Sequence, residues 1–408
     1  MATMQETPSA NRLHIGVFGK TNSGKSSFIN AFCGQEVSIV SDIAGTTTDP
    51  VMKAMEISPL GACVLMDTAG FDDETELGMA RVEKTKTVAE KADIAVFVIA
   101  GTDLAERASL SSEQEWIERF KERKIPVLLL INDKEHDVKQ MRSFQESLEN
   151  AFQVPVCVIN VKEKTGMQDV KEQLARLMPE AMSECFITGN LVSKEDVVLL
   201  VMPQDIQAPK GRLILPQVQT IRELLDKKCI VMCVTTDEMV RGLQALMHPP
   251  KLIITDSQEF DFVYTNKPKE SMLTSFSVLF AAYKGDIRYY VEGARALDSL
   301  KESSRVLIAE CCTHAPLAED IGRVKIPNLL RKRFGAGLTI EMVSGTDYPT
   351  DVSAYDLIIQ CGACMFNRRY VLSRIERAKR QNVPMTNYGI TIAHLTGILD
   401  KIVMDGLA

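Results

Sequence analysis

The sequence has no excess of basic charge: Lys and Arg number 47 against 54 Asp and Glu, and the formal net charge is −7. A chain built to ride on phosphate backbones usually carries the opposite balance, so nucleic acid is not an expected partner. Long apolar runs are also missing. The longest, residues 94–100 and 197–202, fall far short of a bilayer span, and no membrane partner is expected. Residues 1–11 carry neither a basic flank nor an apolar stretch and read as a loose tail, not a signal peptide, which makes the expected location cytoplasmic. In a cytoplasmic chain the ten cysteines are not expected to form a disulfide framework. Those in apolar runs (Cys63, Cys157, Cys229, Cys233) read as buried, inert thiols. There is no visible sequence repeat. What is present is ordinary globular material, 408 residues with 45% hydrophobic and 25% charged, enough for two or three domains.

Between residues 12 and 177, strand-like apolar runs at 13–18, 63–67, 94–100, 127–131 and 156–161 alternate with helical patterns at 24–33, 112–122 and 168–177. Alternation of this kind predicts a parallel α/β sheet. Pro179 and the small or polar residues up to Asn190 read as a linker. A shorter alternation follows, with strands at 197–202, 229–234 and 251–255 and helices at 218–227 and 237–247. A unit of about 70 residues is marginal alone and gains by burying a face against a copy of itself. The polar stretch 259–270 then precedes a third unit, with strands at 305–311, 338–343 and 355–360 and a helix at 371–380.

Gly19-Lys20-Thr21-Asn22-Ser23-Gly24-Lys25-Ser26 matches G-x4-G-K-[ST] directly after a strand and opening a helix, the context the motif requires. Its glycines let backbone N–H groups wrap a phosphate chain, with Ser23 and Ser27 alongside, and the helix N-terminus adds favourable field. Lys25 is placed to neutralise β- and γ-phosphate charge and the Ser26 hydroxyl to complete a Mg²⁺ shell. Asp67-Thr68-Ala69-Gly70 ends a later strand, with a carboxylate able to reach the metal through water and a Gly70 N–H able to meet the γ-phosphate. The expected fold is therefore α/β: an N-terminal P-loop domain with a parallel sheet over 12–178, then two smaller parallel-sheet domains over 190–266 and 271–408.

The run Asp42-Ile43-Ala44-Gly45-Thr46-Thr47 followed by Asp49 resembles the translation-factor-like GTPases, within them the Era and TrmE (MnmE) group. That resemblance implies GTP/GDP as the nucleotide, Thr47 as a Mg²⁺-binding switch threonine, and catalytic roles for Lys25, Thr47 and Gly70. It marks Asn22 as the asparagine of potassium-dependent members, in which K⁺ between the phosphates, with the Thr46–Thr47 loop around it, replaces an arginine finger. Hydrolysis is then expected to be slow and K⁺-activated. Base recognition departs from the family's N-K-x-D. Here Asn132-Asp133-Lys134-Glu135 follows the strand, with Glu135 in the role of the Asp, and Asn160-Val161 stands at the later Ser-Ala position.

Four cysteines of the last third behave differently from the rest. A strand runs into Cys312-Thr313-His314, and a later one into Cys361-Gly362-Ala363-Cys364. Both groups thus fall at C-terminal strand ends, the usual place for a ligand in an open parallel sheet. Three thiolates (Cys312, Cys361, Cys364) and a weaker fourth ligand, His314 or Glu319, suit a [4Fe-4S] cluster, and Cys3His suits zinc equally well; the residues alone leave both open. Strand alternation would turn Cys311 the other way and leave it unligated.

C-x-H, then some 45 residues, then H-C-x2-C resembles the signature of the HydF family, the GTPase maturases of [FeFe]-hydrogenase, except that Gln360 occupies the second histidine's place. The resemblance covers essentially the whole chain. It implies a homodimeric scaffold with a [4Fe-4S] cluster that receives a transient diiron precursor assembled by the radical-SAM maturases HydE and HydG and delivers it to the apo-hydrogenase. Two other readings stand beside it. One is an RNA-associated GTPase, resting on Arg331, Lys332, Arg333, Arg368, Arg369, Arg374, Arg377, Lys379 and Arg380; the other is a zinc-stabilised GTPase switch.

Overall fold

The computed structural model describes residues 7–34, 52–71, 76–102, 110–133, 138–178, 186–203, 213–311 and 321–407. The chain divides into two compact units, Met1–Glu184 and Cys185–Ala408.

In the first unit six strands form one sheet: β1 Leu13–Phe18, β2 Met52–Ile57, β3 Gly61–Asp67, β4 Ile94–Ala100, β5 Val127–Asn132 and β6 Val156–Ile159, ordered β2-β3-β1-β4-β5-β6. Every neighbouring pair is parallel except β2–β3. The helices are α1 Lys25–Cys33, α2 Glu76–Lys91, α3 Ser111–Glu122, α4 Val138–Phe152 and α5 Met167–Arg176. Strands covered by helices on both faces are almost wholly apolar, and β1 and β5 are buried throughout, with His14 and Asn132 as their polar members. Because successive side chains alternate, Ile15 and Val17 join Phe28 and Val170 in one cluster, while Phe18 joins Phe97 and Phe120 in another on the opposite face. The sequence reading misses β2, α2 and α4. Strand β2 lies at the sheet edge, where Lys53 and Glu56 interrupt the apolar pattern that marks the inner strands.

The second unit holds two four-stranded parallel sheets. One comprises β7 Val197–Val201, β8 Ile230–Val234, β9 Leu252–Thr255 and β10 Met272–Ser275, ordered β10-β9-β7-β8. The other comprises β11 Arg305–Ala309, β12 Thr339–Val343, β13 Leu357–Gln360 and β14 Met385–Asn387, ordered β12-β11-β13-β14. Read from opposite ends, the orders are identical: second strand, first, third, fourth. The helices are α6 Leu215–Asp226, α7 Met239–Gln244, α8 Phe260–Asn266, α9 Phe276–Lys284, α10 Ile287–Arg295, α11 Ile326–Phe334, α12 Arg368–Arg380 and α13 Tyr388–Leu395.

The correspondence extends to detail. The fourth strand of each sheet runs straight into a helix capped by the strand's last residue: Ser275 Oγ accepts from the Val278 N–H, and Asn387 Oδ1 from the Ile390 N–H. The two helix starts also meet, since Asn387 Nδ2 donates to Ser277 O at 3.0 Å and the Gly389 N–H donates to Ser277 Oγ. One apolar cluster runs through both sheets, including Leu199, Ile253, Phe280, Ile308 and Ile359. Two sheets too small to bury much alone thus share a core. Within it, β10 lies beyond residue 266, and the polar stretch read as a separator contains α8.

Candidate functional site

Strand β1 has β3 on one side and β4 on the other, so the chain leaves it in opposite directions and a crevice opens at its carboxyl end. The phosphate loop occupies that point, from β1 to α1. Gly19 and Gly24 have φ of +146° and +100°, and Asn22, a residue that tolerates the left-handed region, has +63°. A side chain at Gly24 would meet the Asn132 amide and one at Gly19 the Val98 carbonyl, so both positions are closed by packing as well as by conformation.

Lys25 is buried, and its Nζ donates to Gly19 O at 3.1 Å and Lys20 O at 2.7 Å. The ammonium is thereby held inside the turn that would cradle phosphates. Ser26 Oγ donates to Asp67 Oδ2 at 2.5 Å, joining the two groups expected on Mg²⁺. Asp67 Oδ1 and Ser23 Oγ are buried without hydrogen-bond partners among the described residues. A divalent cation and phosphate oxygens are the groups that would satisfy them. Ser27 and Asn22 are exposed at the mouth, and Gly70 lies just past the end of β3, where Thr68 Oγ1 donates to Val17 O.

Asn132, at the end of β5, ties the site together. Its Nδ2 donates to Ser23 O at 3.2 Å and its Oδ1 accepts from the Val161 N–H at 3.5 Å. The asparagine therefore braces the phosphate loop against the segment after β6, so a role in shape accompanies any role toward base. Asn160 Oδ1 accepts from the N–H groups of Lys162 and Glu163 and holds its own turn. Thr46, Thr47, Lys134 and Glu135 lie outside the described residues.

In the second unit β11 has β12 and β13 as neighbours, which makes the carboxyl ends of β11 and β13 another point where the strand order reverses. Cys361 follows β13 at this point, and Ala363, at φ +51°, turns the loop toward Cys364. Lys284, the last residue of α9, is buried and donates from Nζ to Ala363 O (3.1 Å), Cys364 O (3.2 Å) and Phe366 O (2.8 Å). Strand β11 stops at Ala309, so strand alternation does not reach Cys311. The Cys311 N–H donates to Cys361 Sγ at 3.0 Å, while Cys311 Sγ accepts from Arg374 Nη1 at 3.5 Å. A side-chain hydrogen bond from Cys311 lowers the Cys361 thiol below its ordinary pKa, against burial. Cys312, His314 and Glu319 lie outside the described residues, and among the described residues no three metal-binding side chains gather. Gln360 is buried and donates to Tyr290 Oη at 3.3 Å.

Burial pushes Cys63 to about 12 and Cys157 to about 11, which fits inert thiols; Cys233 differs, because β8 is an edge strand and leaves it exposed. The basic residues behind the RNA reading are largely engaged within the chain. Arg333 pairs with Asp298, Lys379 with Asp286 and Arg380 with Glu376, while Arg377 donates to the carbonyls of Tyr348 and Pro349 and Arg368 to that of Tyr283. Arg374 is fully buried. No helix among the described residues is long and apolar enough to cross a membrane.

Comparison with known proteins adds three family matches. Residues 187–285 match the hydrogen maturase F dimerization domain, 288–404 the hydrogen maturase F tetramerization domain, and 14–133 the 50S ribosome-binding GTPase family. The chain is 29% identical over 205 residues to the tRNA modification GTPase MnmE of Lachnoclostridium phytofermentans, covering 50% of this chain and 40% of that protein. It is 45% identical over 100 residues to the GTPase Der of Wolinella succinogenes, covering 24% and 20%. The chain thus spans well under half the length of these curated relatives. Among solved structures it is similar to Era in complex with MgGDPNP and 16S ribosomal RNA, at 16% identity and a TM-score of 0.34, over 64% of this chain and 98% of that one.

Proposed function

Because the chain belongs to the hydrogen maturase F family, with a GTPase domain ahead of its two maturase domains, we propose that it is a GTP-hydrolysing, [4Fe-4S]-bearing scaffold that receives a diiron precursor and transfers it to apo-[FeFe]-hydrogenase. The observation that carries this reading is the pairing of two sites in one chain, each where the strand order of a parallel sheet reverses. One is a phosphate loop and the other a cysteine loop.

On the nucleotide side, Lys25 would hold phosphate charge, Ser26 and Asp67 would hold Mg²⁺ together with Thr47, and the Gly70 N–H would meet the γ-phosphate. Lys25 is placed to meet charge that develops at the β,γ-bridge, and Asn22 would hold a K⁺ supplying further positive charge there. Asn132, Lys134 and Glu135 are the residues assigned to guanine recognition. Hydrolysis is slow and gates the exchange of partners.

On the cysteine side, the residues fit an iron–sulfur group. Two thiols flank a short loop, a backbone N–H points at one of them, and the buried guanidinium of Arg374 has an Nε without a hydrogen-bond partner among the described residues. Cys312, Cys361 and Cys364 would hold the cluster, with His314 or Glu319 as a weaker fourth ligand. When bound, it would supply an iron with an exchangeable position. The chain's own part is to fix the loop between the thiols through the Lys284 ammonium and to aim the Cys311 N–H at Cys361.

Copies of the chain associate as homodimers through the second sheet. Ile230 on edge strand β8, Val218 and Leu225 on α6, and Val240 on α7 are exposed apolar side chains there, a surface that a symmetric partner would cover. The radical-SAM maturases HydE and HydG supply the cargo, and the location is cytoplasmic. The test is activation of apo-[FeFe]-hydrogenase by this protein purified from cells that also express both radical-SAM maturases. Hydrogen evolution is expected, and none from the Cys361→Ala variant. Equal activation by wild type and variant would contradict the scaffold role.

A further inference from the structure

Arg374 sits on α12 with 1% of its surface exposed. A permanent charge at such depth needs an anion or a dense set of acceptors. Its guanidinium lies over three rings, Tyr348 at 4.8 Å, Tyr370 at 5.0 Å and Phe366 at 5.1 Å. Nη2 donates to Gly345 O, Nη1 to Cys311 Sγ at 3.5 Å, and Nε has no hydrogen-bond partner among the described residues. No carboxylate lies within ion-pair distance of it among the described residues, although neighbours on the same helix, Lys379 and Arg380, each have one. The electron-rich groups on its charge are the Gly345 carbonyl, the Tyr370 hydroxyl and the Cys311 sulfur, and of these the sulfur leads to the cysteine loop. Cys311 touches it directly, and the Cys311 N–H in turn donates to Cys361 Sγ. The rings bring negative π-faces to the cation and shut out water, which leaves its field unscreened.

We propose that Arg374 is the built-in countercation of the cysteine site, a positioning residue that favours the more negative, reduced form of the cluster bound there. The inference rests on the iron–sulfur reading above. Reduction adds one electron, supplied in the test by a low-potential chemical reductant, and no bond forms or breaks. A fixed cation beside the thiolates lowers the cost of that electron, so removing the charge makes the potential more negative. Lys at this position would keep the charge and lose the flat stacking; Met would keep much of the volume and lose the charge.

The experiment is an EPR-monitored redox titration of the full chain, reconstituted without oxygen, as wild type, Arg374→Lys and Arg374→Met, with iron content and circular dichroism measured on each. At a fixed potential the reduced-to-oxidised ratio of Arg374→Met should fall at least tenfold, equivalent to about 59 mV for one electron, while Arg374→Lys stays within about threefold of wild type. If Arg374→Met does not fold, Arg374→Gln takes its place. If both uncharged variants lose iron and Arg374→Lys keeps it, charge alone separates them and the proposal stands. A wild-type potential in either uncharged variant would overturn it. Equal loss of iron in all three variants would also overturn it, because stacking geometry would then be what matters. Wild-type protein that binds no iron would refute the iron–sulfur reading itself, and this inference with it.

Discussion

Replacing Lys284 by Met tests how the cysteine loop is held. Lys284 is 2% exposed, and its ammonium donates to three carbonyls of the loop, those of Ala363, Cys364 and Phe366. Met has similar length, so the change removes donors, and an ammonium 5.8 Å from the Phe280 ring centroid, more than volume. Each hydrogen bond to a charged group contributes about 1.5–3 kcal/mol, but the three share one ammonium and do not add. Relief from burying a charge offsets part of the loss, and the three carbonyls regain only as much water as the loop admits. The net cost is about 3 kcal/mol, which for a unit of this size lowers Tm by roughly 6–12 °C. Because the chain has two units, a single melting curve does not assign the loss. Hydrogen exchange does: amides of residues 361–367 and the start of α12 should lose protection, while those of β1, β4 and β5 keep theirs. Iron retention should fall too, since Cys364 sits on the released segment. A stability change below about 0.5 kcal/mol with unchanged exchange at 361–367 would refute the reasoning.

Lys25→Ala should lower GTP hydrolysis at least about a hundredfold, and wild type should run faster in K⁺ than in Na⁺; a phosphate-release assay reads both. Asn132→Ala cuts the brace between the phosphate loop and the segment after β6. A fluorescent guanine nucleotide should bind about tenfold more weakly, and the first unit should lose about 1–2 kcal/mol in urea. His14 reports on pH. Burial lowers its pKa from 6.5 to about 4, and Lys91 and Arg12 add to that shift, while its hydrogen bond to the Arg12 carbonyl opposes it. Asp93 lies 3.8 Å from Nδ1, but it accepts from the His14 N–H and does not outweigh burial. The folded state therefore keeps His14 neutral. The unfolded chain binds more protons between those two values, so stability is complete above pH 6.5 and falls as pH drops toward 4. Between about pH 7.5 and about pH 5 the loss is about 2 kcal/mol, and His14→Phe should flatten that part of the urea-midpoint curve.

What the sequence made legible follows physical contrast. β1, β4 and β5 are short and almost wholly apolar because helices cover both faces, and they lie where the apolar runs place them. The phosphate loop was readable because its glycines have no substitute: the φ values at 19 and 24 and the packing around both positions admit nothing larger. β2 hides its pattern at an edge, and β14, only three residues long with Thr386 and Asn387 in it, carries no apolar run although it is buried. The shared strand order of the second unit is invisible in sequence, since an order depends on which strands pair and not on which residues build them. Lys284 and Arg374 were out of reach for another reason. A buried cation looks like any surface lysine or arginine until the fold brings distant carbonyls and sulfur atoms to it, here from residues 363–366 and from Cys311.

Whether a GTPase and a [4Fe-4S] site share this chain is decided by metal analysis and EPR of protein reconstituted without oxygen. Close to four irons per chain, a brown absorbance at about 400 nm and a reduced-cluster signal that changes shape with added imidazole are expected, all lost in Cys361→Ala. A colourless protein that holds one zinc per chain and takes up no iron would contradict it.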